Sequence, residues 1–375
     1  MEPGASRSSV SITPFVGIVD VGMGSEAREC AMAQESEAKG SKRSGQLRQS
    51  GALIISLDFE LYWGIREKLT VADGTAEILG ARSVIPRLLS LFSQYDIHAT
   101  WATVGFLFFD TYEQLIAGLP AMTPSYSNAK YSPYEYISRH GIGKNEKEDP
   151  LHYGASLVKM ISSTPNQEIG THTFSHYYCL ENGQSAETFR EDLKAAIRAA
   201  AMYDLKLESM VFPRNQINDS YLSICRELGI KSYRGAESPW IYKRTIKERE
   251  TLIRKAPRII DSHLNLFGHN TYDAGEIGRS SPLNIRSSRF LRCYSNKPRF
   301  LQYTKLNRIR SDLTHAAQNR LIYHLWWHPR NFGLRTEENL WLMEEILRHY
   351  SVLRNEYGME SLNMRDLARK IEATC

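Results

Sequence analysis

Ala52-Leu53-Ile54-Ile55-Ser56-Leu57-Asp58-Phe59-Glu60 is a short apolar run that ends in two carboxylates. A run of this length, apolar without helical spacing, predicts a buried strand. Residues i and i+2 of a strand point the same way, so Asp58 and Glu60 aim two acids at one spot. Further along, Gly170-Thr171-His172-Thr173-Phe174-Ser175-His176 holds two histidines at i, i+4. On a helical turn those positions share a face, which predicts two converging imidazoles. Two histidines and one carboxylate with an open fourth position form the ligand set of a hydrolytic zinc site. A second carboxylate is then left to act as a base. In outline this is a metal-dependent hydrolase.

Outward from Ala52, strand and helix signals alternate. Ser83 is placed to cap a helix over 83–95, with Pro86 in its first turn and Ile85, Leu88, Leu89 and Phe92 on one face. Residues 98–104 read as the next strand. The stretch 110–165, rich in Pro, Tyr, Ser and Asn, is too long for a simple connection and reads as a substrate-side insertion or lid. Helices follow at 185–203 and 220–228, strands at 209–212 and 230–233, a late apolar strand at 320–326, and a long helix at 336–357. Strand-then-helix order predicts an α/β fold with a parallel sheet or barrel.

Composition sets the outer bounds. The 375 residues suffice for one large domain with additions. They are 42% hydrophobic and 24% charged, and a net charge of +5 argues for no particular partner, nucleic acid included. Cys30, Cys179, Cys225, Cys293 and Cys375 are scattered and odd in number, which fits a reducing compartment rather than a disulfide framework. No run approaches a membrane span and no secretory signal is visible, so the expected location is cytoplasmic. Residues 1–50, with nine serines and few aromatics, read as a disordered extension with a short strand conceivable at 15–21; 51–375 form the folded domain.

At these residues the chain resembles the polysaccharide deacetylase family (the NodB homology domain, carbohydrate esterase family 4 and relatives). The resemblance runs from about Ala52 to about Ala368 and implies a distorted (β/α)7 barrel with a divalent metal, Zn2+ first, at the C-terminal ends of the strands. Asp58-x-Glu60 resembles the first motif, which implies Asp58 as base and Glu60 as metal carboxylate. His172 and His176 match the HxxxH metal motif, Ser175 included. Phe212-Pro213-Arg214 resembles the third motif, whose arginine orients the base, and the His-Pro of His328-Pro329 resembles the last, which supplies the acid. Two departures stand out. Phe59 fills the slot where the commonest members carry the metal aspartate, and Asn215-Gln216 replaces the Pro-Tyr of the extracellular chitin-type enzymes.

The implied activity is hydrolysis of an N-acetyl group on a sugar in bacterial surface-polysaccharide biosynthesis, with a nucleotide-linked or lipid-linked acetamido sugar as substrate. A deformylase or other small-amide hydrolase, a glycoside hydrolase using the two carboxylates, and a degenerate member that only binds sugar are the alternatives. His324 competes with His328 for the acid; His328 lies nearer the strand's C-terminal end, where barrel chemistry occurs. Trp63, Trp326 and Trp327 offer flat faces for a sugar ring or serve as core. Residues 285–310 hold eight Lys or Arg and no acid, with aromatics interleaved. A solvated basic face is the default there, and peripheral contact with anionic lipid or with substrate phosphate is the alternative.

Overall fold

The computed structural model describes residues 50–237, 259–278, 280–294 and 298–373. The N-terminal extension, the strand expected at 15–21, Cys30, Cys375 and residues 295–297 of the basic run lie outside them. β1 (Ala52–Phe59) is buried along its whole length, which explains why it is apolar throughout rather than alternating. It pairs in parallel with β2 (Ala99–Thr103) on one side, and β3 (Gln167–Thr171), β4 (Ser209–Met210), β5 (Ser232–Gly235) and β6 (Leu283–Arg286) follow outward, all parallel. On its other side β1 pairs with β8 (Ile322–Trp327), which pairs with β7 (Arg289–Phe290). β9 (Glu360–Leu362) covers the first three residues of β1 below β2.

β6 and β7 are two parts of one run. The Ser287 amide donates to Gly235 on β5 at 2.9 Å, and the next amide, of Ser288, donates to His324 on β8 at 2.8 Å. The chain therefore changes partner between adjacent residues and closes the sheet. Counting that run once gives a distorted (β/α)7 barrel, as expected from the sequence.

The helix expected at 83–95 begins earlier. It spans Val71–Gln94, and Thr70 caps it by accepting from the Asp73 amide at 3.2 Å. Pro86 therefore lies inside the helix, and Ser83 bonds back to the Gly80 carbonyl at 2.9 Å. Gly80 is there for contact, since a Cβ would lie 2.0 Å from the Gly333 carbonyl oxygen of the loop after β8. The helix Ala186–Ala201 is capped by Ser185 in a capping box with Thr188. The 110–165 stretch is less irregular than its composition suggests, with helices at Tyr112–Ala117, Pro133–His140 and Ala155–Ser163. It packs on the segment after β1, where the Trp63 indole donates to the His152 carbonyl at 2.8 Å.

Candidate active site

The candidate residues gather at the C-terminal ends of the strands. Asp58 is the penultimate residue of β1 and Glu60 follows that strand, His172 and His176 follow β3, Arg214 follows β4, and His328 follows β8. The two histidines do not lie on a helical turn. Thr173 (φ 63°) and His176 (φ 57°) are left-handed, so the segment is a tight loop that folds both rings inward, centroids 5.1 Å apart. A left-handed residue other than glycine costs about 1–2 kcal/mol. Hydrogen bonds offset it. Asp192, fully buried on the helix Ala186–Ala201, accepts from the Phe174 amide at 2.7 Å, the Ser175 amide at 3.2 Å and the Ser175 hydroxyl. The Thr173 hydroxyl accepts from the Tyr177 amide at 2.7 Å.

Glu60 Oε2 lies 3.1 Å from His176 Nε2 and 3.5 Å from His172 Nε2. One donor atom from each of the three buried residues falls within 4.8 Å of the others. Two observations fit this cluster to a divalent metal. His172 donates Nδ1–H to the Val211 carbonyl at 2.8 Å, which leaves the Nε2 lone pair facing inward. Gly64 leaves room for the carboxylate, since a Cβ there would lie 1.9 Å from the Glu60 carboxyl carbon. Burial pushes the His176 imidazole down to about 4, so it is neutral and ligand-competent at neutral pH. Burial alone would raise Glu60; His328, His172, His176 and Arg330 outweigh it and hold the carboxyl well below its usual range.

Asp58 is gripped from behind by Arg234. The guanidinium of this β5 residue meets both carboxylate oxygens, Nη1 to Oδ1 at 2.7 Å and Nη2 to Oδ2 at 2.9 Å. It also donates to Ser56 Oγ at 3.0 Å and Asn215 Oδ1 at 3.1 Å. Against the burial that would raise it, Arg234, His172 and His328 hold the Asp58 carboxyl below its ordinary value. Arg214, expected in this role, is elsewhere: it bonds Glu67 Oε1 at 2.6 Å and Glu181 Oε1 at 3.4 Å and lies 4.2 Å over the Tyr178 ring. Its backbone is left-handed (φ 55°), which turns the side chain to the rim.

His328 Nε2 lies 3.6 Å from both Asp58 Oδ2 and Glu60 Oε1, and Nδ1 lies 3.2 Å from Asn331 Oδ1. Burial, helped by Arg330 and Arg234 against Glu60 and Asp58, pushes its imidazole down to about 4. His324 is a strand-interior residue, bonded to Ser56 Oγ at 2.8 Å and the Arg286 carbonyl at 3.2 Å. Trp63 and Trp327 are core; Trp326 borders the site. Asp58, Glu60, His176 and His328 line a cavity of 310 Å³ together with Lys68, Arg214, Glu237, Phe290, Arg292, Trp326 and Arg330. Of these the sequence reading missed Arg330, which bonds Glu60 Oε1 at 3.1 Å and Glu77, and Glu237, as it also missed Arg234 behind the cavity. Arg330 follows the late His-Pro directly, which was a usable signal.

Most described cations of the 285–310 run are committed internally. Arg286 pairs with Glu276, Arg289 and Arg308 with Asp261 and Asp312, and Arg310 with Glu345. No helix among the described residues is long and apolar enough to cross a membrane.

The polysaccharide deacetylase family model matches residues 68–233. Over these residues the chain is similar to the polysaccharide deacetylases. The matched span contains His172 and His176 but not Asp58, Glu60, Arg234 or His328, which geometry alone adds. No protein of curated function matches the sequence. Among solved structures, one assigned as a polysaccharide deacetylase from Mycobacterium smegmatis aligns with TM-score 0.55 at 13% identity, over 88% of this chain and 93% of that one. Puue allantoinase aligns with TM-score 0.50 at 12% identity, over 86% and 90%. At such identities the likeness is one of fold. The family supports sugar deacetylation in general and uses a metal, for which the Glu60–His172–His176 cluster offers a site.

Proposed function

We propose that this protein is a metal-dependent N-deacetylase, with Zn2+ the first candidate ion. Its substrate is an acetamido sugar carried on a nucleotide or lipid, and its place is bacterial surface-polysaccharide biosynthesis in the cytoplasm. One observation carries the reading: a carboxylate, a three-donor metal cluster and an imidazole converge on one small cavity, with His328 3.6 Å from both Asp58 and Glu60.

Amide hydrolysis needs a strong nucleophile and a proton for a poor amine leaving group. An ion held by Glu60, His172 and His176 would supply Lewis acidity to an acyl oxygen and acidity to a water. Asp58, held ionised by Arg234, accepts the water proton. His328 is neutral at rest, so it must gain its proton during the reaction. Asp58 Oδ2, 3.6 Å away, is the nearby source, and a gap of that length shortens in a substrate complex. His328 then protonates the leaving nitrogen. Arg330 and the histidines leave Glu60 no free choice of protonation state, and the indole of Trp326 and ring of Phe290 keep one wall apolar. A larger open cavity of 1180 Å³ adjoins this one, sharing Lys68, and supports a substrate bearing a carrier group.

Metal content by mass spectrometry, wild type beside His176→Ala, tests the cluster. About one divalent ion per chain, lost in the variant, together with acetate release from acetamido sugars, is the expected result. Absence of metal uptake, or of acetate from every sugar offered while Asp58→Asn matches wild type, overturns the proposal. Formate in place of acetate turns it into a deformylase, an outcome the 310 Å³ cavity also accommodates.

A further inference from the structure

Glu237, just past β5, is 6% exposed and lines the catalytic cavity. Its Oε1 accepts from the Trp326 indole N–H at 3.3 Å. The cavity's other two carboxylates each have a cation, Asp58 with Arg234 and Glu60 with Arg330. Among the described residues none pairs with Glu237. An ionised carboxylate offers about four acceptor sites. With one bond made to the indole, the remaining acceptor sites face the cavity, where a ligand's donors can meet them.

The acceptor is also fixed in place. Trp326, which holds it, has the Arg234 guanidinium 4.1 Å from its ring centroid and Phe290 at 4.8 Å. Two kinds of donor could meet a rigid carboxylate here, an ammonium or a pair of hydroxyls. Lys68, Arg214, Arg292 and Arg330 line the same cavity and oppose a second cation. Hydroxyls carry donors without charge.

We propose that Glu237 is the specificity-determining acceptor for the ring hydroxyls of the sugar that bears the amide. It thereby restricts this site to polyhydroxylated amides. The inference rests on the deacetylase reading. Glu237 accepts from two neighbouring hydroxyls, Trp326 sets its rotamer, and the amide is thereby directed toward Asp58 and His328. A site built to bond a hydroxyl discriminates strongly against an analogue lacking it.

The test uses metal-loaded full-length protein with N-acetylglucosamine, free and as its nucleoside-diphosphate conjugate, against N-cyclohexylacetamide, a ring of the same size without hydroxyls. Glu237→Gln keeps an oxygen for the indole and loses the charge and the second acceptor. The expected result is a fall of about tenfold or more in the sugar-to-cyclohexyl ratio of kcat/KM, carried by KM on the sugar. Glu237→Asp, which keeps the charge but draws it back by one methylene, should fall less, and it stands in if the Gln variant does not fold. An unchanged ratio in a folded, metal-containing variant overturns the proposal. If the wild type releases no acetate, the deacetylase reading has failed, and calorimetric binding of N-acetylglucosamine and its conjugate then decides on Glu237. Binding at least tenfold weaker in Glu237→Gln sustains its role, and equal or absent binding refutes it.

Discussion

Two layers of the barrel treat the same residue types in opposite ways. In the inner layer, Arg234 is fully buried, joined to both oxygens of Asp58 and to Ser56, which also bonds His324. At the rim, the side chains of Arg214, Arg330 and His328 are 13%, 14% and 19% exposed. Arg214 divides itself between Glu67 and Glu181 over the rings of Tyr131 and Tyr178. Water reaches the rim, so an ion pair there is replaceable. Arg234 is out of reach of solvent, so the guanidinium and Asp58 depend on each other. An arginine therefore fixes Asp58 when it lies within the strands, and braces a loop when it lies above them.

The largest effect expected is that of Asp58→Asn, which removes the base and leaves Arg234 uncompensated. Acetate release should fall about 10³-fold or more, and a rate within tenfold of wild type would detach the inner layer from catalysis. Arg234→Met should lower unfolding free energy in urea by ~3–5 kcal/mol, since one member of a buried pair is left alone. Arg234→Lys should not rescue activity, because an ammonium cannot bridge both oxygens. Asp192→Asn removes one of the oxygens that pin the histidine loop, and competitive chelator titration should show metal affinity down about 10–100-fold. Arg214→Met should cost only about 1 kcal/mol, with kcat close to wild type. If it matches Arg234→Met, the distinction between layers collapses.

A pH-dependent effect concerns His324, whose imidazole burial pushes from 6.5 down to about 3. The unfolded chain takes up that proton first as pH falls. Stability from this residue is therefore complete above 6.5 and lost progressively toward 3. Melting temperatures of metal-free His324→Gln should fall less steeply than wild type between pH 6.5 and 4.

The convergence of most candidate residues was legible because the patterns that mark them are local. Asp58 and Glu60 end an apolar run, and an HxxxH spacing and a His-Pro after a strand are short patterns. The barrel followed from strand–helix alternation together with the family motifs. The misassignments came from features that only packing reveals. Arg214 fits a Pro-Arg pattern after a strand, whereas Arg234 in Ser232-Tyr233-Arg234-Gly235 looks like the frayed end of one; an arginine inside a buried strand demands a buried acid, and Asp58 was available. Thr70 with Asp73 is a helix start that the reading at Ser83 and Pro86 did not use; Gly74 and Gly80 after it weaken the helical signal and serve close packing that sequence does not display. The loop at Thr173 and His176 achieves by left-handed backbone what a helical turn was expected to do, and its support from Asp192 comes from another helix altogether.

The ring has a seam. Six residues of β8 register with β1, but only Arg289 and Phe290 register with it from the other side. Glu237 beyond β5 and Trp326 on β8 are joined over that narrow join, so the bond that orients the acceptor also fastens the two lips of the barrel. Substrate choice and circumferential integrity thus share one fastening, and a residue that selects the sugar cannot drift in evolution without loosening the wall behind it.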